Sequence, residues 1–98
     1  MNERADFGRY GKAFQEGLCQ LIFEDRPFAD QLMEVFDIKF LELEYLRVFV
    51  KKILQYRVKY TVHPSREILE SIFKTQLENE NDIIKKQVQN YFQKIQLN

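Results

Sequence analysis

The sequence predicts an all-α fold, a compact bundle of about five or six helices, and three observations predict it. Only three Gly and two Pro punctuate 98 residues, so few points force the chain to turn sharply. The apolar residues recur at steps of three and four, the spacing of one helix face, and not in the strict alternation of a strand. Hydrophobic residues make up 45% of the chain, with nine Phe and five Tyr, which is too apolar a composition for a disordered segment. A chain of this length buries roughly two-thirds of its unfolded surface, enough for one core.

A first helix is expected from about Tyr10 to Phe23, with Tyr10, Phe14, Leu18, Leu21 and Ile22 on one face. Ala13 and Gly17 lie beside them as a narrow strip where another helix could approach. Residues 1–9 read as a flexible lead-in, and residues 10–78 as the globular part. Asp25 is placed to cap a second helix whose first turn tolerates Pro27, because the N–H groups there lack helical partners anyway. That helix covers about Pro27 to Phe36 and would bury Phe28, Leu32, Val35 and Phe36. Asp37-Ile38-Lys39-Phe40 is a brief connector with two apolar anchors.

The longest helix is expected from Glu42 to Tyr60, with Leu46, Phe49, Val50, Ile53, Leu54 and Tyr60 as its stripe and Arg47, Lys51, Lys52, Gln55 and Lys59 in water. The loop Thr61-Val62-His63-Pro64-Ser65 ends it, since a residue preceding proline is pushed out of the helical region and Ser65 is a good N-cap. The next helix, about Arg66 to Leu77, would bury Ile68, Leu69, Ile72 and Phe73. Residues 79–98 begin with a polar, acidic break and continue as a terminal helix with Ile84, Val88, Tyr91 and Ile95 at coiled-coil spacing. Tyr91, Phe92 and Ile95 stand near the end of the chain with little left to cover them. Ile84, Val88, Tyr91, Phe92 and Ile95 are therefore the candidate self-association residues, with packing on the chain's own core as the alternative.

The composition limits the chemistry. Lys plus Arg and Asp plus Glu are both 15, so no overall field draws the chain to a polyanion. One Cys and one His allow no internal disulfide and no four-ligand zinc site, and the chain reads as cytoplasmic. No apolar run reaches the ~18 residues of a membrane span, and the N-terminus has no signal-peptide pattern. Gly8-Arg9-Tyr10-Gly11-Lys12 has the wrong spacing for a phosphate loop and no hydroxyl after the Lys. Its G-x-x-G spacing matches the clamp of KH domains, but that clamp works within a mixed sheet fold and no strands are evident here.

His63 has a pKa range suited to a base or pH sensor, yet it stands in a loop without a Ser or Cys nucleophile beside it. Cys19 lies on an apolar helix and reads as a core residue. The acidic pairs Glu24-Asp25, Glu42-Glu44 and Glu78-Glu80-Asp82 fall at helix ends, where solvated caps explain them. Lys51, Lys52, Arg57 and Lys59, with Tyr56 and Tyr60, form the densest basic and aromatic stretch, a candidate contact for nucleic acid or a partner. No enzyme is expected from these groups, and no metal or cofactor site.

Several stretches, in order, resemble the N-terminal domain of DnaB-type replicative DNA helicases, most closely the bacteriophage versions. Gln15-Glu16-Gly17-Leu18-Cys19-Gln20-Leu21-Ile22-Phe23-Glu24-Asp25 looks like the opening helix of that domain, and Ile38-Lys39-Phe40 like its short D-F or Y-F landmark. Leu46 to Leu54 is similar to the helix that begins at its H-R-x-I-F segment, without the His. Tyr60-Thr61-Val62-His63-Pro64-Ser65 through Ile68-Leu69 is similar to its x-P-D-x-x-T-L loop and helix, with Ser65 in place of Asp.

The resemblance covers about residues 12 to 77, and extends to 98 by position. It implies a non-catalytic collar domain in a hexameric ring, supporting assembly and docking of a primase and a loader in DNA replication, with DNA met only indirectly. ATP and Mg are then expected only for a motor domain outside this chain, and residues 79–98 become the first arm of a dimerisation hairpin. The competing expectation is a small standalone helical protein that binds nucleic acid through Lys51 to Tyr60.

Overall fold

The computed structural model of the chain describes residues 11–96. Tyr10, the lead-in 1–9 and the Gly8 end of the glycine motif lie outside the described residues. The described residues form five helices joined by turns, with no strand among them: α1 (Gly11–Glu24), α2 (Arg26–Leu32), α3 (Glu44–Tyr60), α4 (Arg66–Thr75) and α5 (Asp82–Gln96), plus a 3-10 turn at Ile38–Phe40. The all-α expectation holds.

The buried stripe of α1 is Gln15, Cys19, Ile22 and Phe23, whereas the expected Phe14 and Leu21 are exposed and Leu18 is half-buried. The helix is thus turned by one residue, about 100°, from the face hydrophobicity selects. Gln15 explains the turn. It is fully buried, and its Oε1 accepts the N–H groups of Glu42 (2.9 Å) and Leu43 (3.3 Å). These groups stand at the start of α3, whose N-cap residue Leu43 supplies no side-chain cap of its own. A buried amide from 27 positions upstream therefore satisfies donors that would otherwise be orphaned.

Asp25 caps α2 by accepting the Phe28 N–H at 3.0 Å, with Pro27 in the first turn as expected. The helix stops at Leu32, short of the expected Phe36. The Val35 N–H bonds to the Leu32 carbonyl, only three residues back, and this tighter turn leaves Val35 72% exposed. Phe36 stays half-buried and meets the edge of Phe40, ring centroids 5.9 Å apart. Asp37 caps the 3-10 turn through the Lys39 N–H (2.9 Å).

Leu46, Phe49, Val50 and Ile53 form the buried face of α3 as expected, joined by Tyr45 and Val48. Tyr60, expected in that stripe, is exposed, because it sits at the last turn, beyond the core. Thr61 then ends the helix in the left-handed region at φ 58°. Ser65 caps α4 through the Ile68 N–H (3.2 Å), and Leu69, Ile72 and Phe73 are buried.

The terminal helix departs most from expectation. Asn81 caps α5 through the Ile84 N–H (2.8 Å), and the helix packs back onto α3 and α4. Val88, Tyr91, Phe92 and Ile95 are 0%, 3%, 4% and 2% exposed, and Ile84 is half-buried against the same cluster. The seam expected to lack cover is covered by this chain. Phe49 and Phe73 stack at 5.4 Å, and Tyr91 (5.0 Å from Phe49) and Phe92 (5.2 Å from Phe73) close over them edge-on. The division between residues 78 and 79 is therefore no boundary in the packing. α5 is one wall of the core.

Candidate functional site

The four cations expected to act together are parted by the helix that carries them. Arg57 (19% exposed) turns toward α2: its Nη2 donates to Asp30 Oδ1 at 2.6 Å, and its Nη1 stands 2.7 Å from His63 Nδ1. It is committed to an internal node and is withdrawn from any basic strip. Lys52 and Lys59 face the other side of α3, toward α4. Lys51 lies exposed on the outer surface.

The node ties four elements together. Arginine can only donate, so His63 Nδ1 must accept from it, and Nε2 carries the proton that it donates to the Phe23 carbonyl at the end of α1 (2.7 Å). Asp30 is shared with Arg26 at 3.9 Å, and the Arg57 hydrogen bond holds its carboxyl below the usual range. Burial, with the Arg57 charge beside it, pushes the His63 pKa down.

This fixes a pH dependence. A histidine whose folded pKa lies below its unfolded value takes up its proton more readily on unfolding, so its cost grows as pH falls from about 6.5. Urea denaturation at pH 7.0 and 5.5 is expected to give a lower midpoint at the lower pH, and His63→Asn is expected to flatten that difference. The carboxylates with lowered pKa values, Glu16 and Asp30, act only further down, so the two effects separate. An identical pH response in H63N would assign the loss to other groups.

Above the node a groove of about 420 Å³ opens between Arg26, Met33, Leu54, Val58 and Val62, with Val58 81% exposed. A second groove, about 380 Å³, runs between α3 and α4. Tyr56 and Tyr60 lie in contact on its α3 wall, ring centroids 4.5 Å apart. Lys59 Nζ sits 5.3 Å over the Tyr60 ring, an attractive placement for a cation. Ile68, Ser71, Ile72 and Gln76 supply the α4 wall. The basic and aromatic stretch is visible in sequence, but its α4 partners were not singled out as a site.

Glu16 forms a third polar cluster. Its carboxylate accepts from Tyr45 Oη (2.6 Å) and Lys94 Nζ (2.9 Å), and its backbone carbonyl accepts from Tyr91 Oη. Burial alone lifts the Glu16 carboxyl, but the hydrogen bonds from Tyr45 and Lys94 outweigh it and hold the group below the usual range. Burial also pushes the Cys19 thiol far up, so it carries no thiolate at neutral pH. Among the described residues no group of three His, Cys, Asp or Glu is placed to hold a metal ion, and no helix is long and apolar enough to cross a membrane. No protein-family model, curated protein or solved structure matches the chain.

Proposed function

We propose that this chain is a protein-interaction domain of the collar type found in DnaB-like replicative helicases, without catalysis of its own. The observation that carries this reading is the coincidence of each family-like stretch with a separate structural element. The opening stretch is α1 with the Asp25 cap behind it, and Ile38-Lys39-Phe40 is the 3-10 turn by itself. Leu46 to Leu54 lies within α3, and the Tyr60 to Ser65 stretch is the α3–α4 loop with the cap of α4.

On this reading the chain works in the cytoplasm, in the host's if it is phage-encoded. Its partners are other copies in a ring, a primase and a loader, while ATP and Mg serve a motor domain elsewhere. Ring contacts cannot use Val88, Tyr91, Phe92 or Ile95 while α5 closes the core, and of the apolar residues at the start of α5 Ile83, 71% exposed, is the one left open. Exposed Val58 and Val62 and the two grooves of α3 are the surfaces on which partners would dock. With Arg57 paired to Asp30 and Lys51 outside the groove, only Lys52 and Lys59 of the four candidate cations act together, which favours a protein partner over nucleic acid.

The test is the reading frame beyond Asn98. A G-x-x-x-x-G-K-S/T phosphate loop in the same frame is expected; a stop codon directly after Asn98 would sink the helicase assignment.

A further inference from the structure

α3 and α4 are joined by the five-residue loop 61–65, and α5 packs on both of them. No α5 residue lines the groove that the two helices leave between them. Its walls carry Tyr56 and Tyr60 on α3 and Ile68 on α4, with the buried Ile72 beneath them at its floor. Such paired ridges leave a valley that fits the side chains of a third helix.

The charge of the groove is one-sided. Lys52 and Lys59 stand along the α3 wall and no carboxylate lines either wall, although the chain as a whole is neutral. Among the described residues neither Lys is held in an ion pair. Seven residues separate them, which is two helical turns or about 10.5 Å along the axis. Two carboxylates seven apart on one edge of an apposed helix repeat that distance.

The geometry points to this groove as the docking site for an amphipathic helix of a partner protein, with apolar residues along its face and Asp or Glu at a seven-residue interval on its flank. The inference rests on the reading of the chain as a protein-interaction domain and names the chemistry of one partner. A single strand of nucleic acid fits less well. Two lysines neutralise at most two phosphates, and Lys59 already occupies one face of the Tyr60 ring.

The test uses the full chain and three fluorescent probes: a Leu-rich amphipathic peptide with Glu at the flanking positions, the same peptide with Lys there, and an oligo-dT of matched length. The Glu peptide is expected to bind at least about tenfold more tightly than the other two. Amide shifts in a heteronuclear NMR titration are expected at Lys52, Gln55, Tyr56, Lys59, Ser71 and Gln76. The double variant Lys52→Glu/Lys59→Glu is expected to reverse the preference between the two peptides while keeping the thermal midpoint of the parent, which a purely structural role of the lysines would not do. Equal binding of both peptides, no binding, shifts elsewhere, or tighter binding of oligo-dT overturns the inference. These outcomes leave the helicase assignment standing, and a stop codon after Asn98 leaves the groove standing, so the two fail separately.

Discussion

A chain ended after Glu78 is expected to lose cooperative folding. It would lack Val88, Tyr91, Phe92 and Ile95, all buried in the intact core, and would bare Phe49 and Phe73 beneath them. Burying a large apolar side chain contributes about 1.5–3 kcal/mol, so four contribute roughly 6–12 kcal/mol. That equals the whole margin of about 5–15 kcal/mol by which a domain of this kind is stable. Circular dichroism melts of residues 1–98 and 1–78 measure it. The full chain should give one sigmoidal transition and the fragment a broad, featureless one. A sharp transition in the fragment would mean that residues 79–98 are an appended arm after all.

Phe49→Ala is expected to cost about 3–5 kcal/mol, the range for deleting a fully buried ring and leaving a cavity. Phe49 is completely buried and its ring meets those of Phe23, Phe73, Tyr91 and Phe92, so α1, α3, α4 and α5 all lose a contact at once. At about 4–8 °C per kcal/mol for a domain of this size, the melting temperature should fall by more than ten degrees. Val58→Ala, in the last turn of α3 and exposed, should stay within about 0.5 kcal/mol. Comparable losses in the two variants would mean that the aromatic cluster is not the centre of the core.

Much of this fold is legible in the sequence where one residue decides a local event. Asp25 and Ser65 cap the helices they precede, Ile38 to Phe40 forms a short element of its own, and Phe49, Ile53, Leu69 and Phe73 face inward. The misreadings of α1 and α5 share one cause, long-range contacts that periodicity cannot see. Gln15 looks like a surface residue until Glu42 and Leu43 present two unsatisfied N–H groups to it. Tyr91 and Phe92 look uncovered near the chain end until α3 and α4 offer them a surface.

The candidate site is divided in the same way. Lys52, Tyr56, Lys59 and Tyr60 are visible as a basic and aromatic stretch. The commitment of Arg57 to Asp30, 27 positions away, appears only in three dimensions.

Glu16 also sets where the chain enters and leaves the globule. It stands on the second turn of α1 and binds Tyr91 and Lys94 on the last turns of α5, with Lys12 and Lys94 lining the same cleft. Side chains from near both ends of the described chain therefore meet in one cleft. A pull applied between Gly11 and Gln96 would load the Glu16 contacts to Tyr91 and Lys94, which tie the first helix to the last.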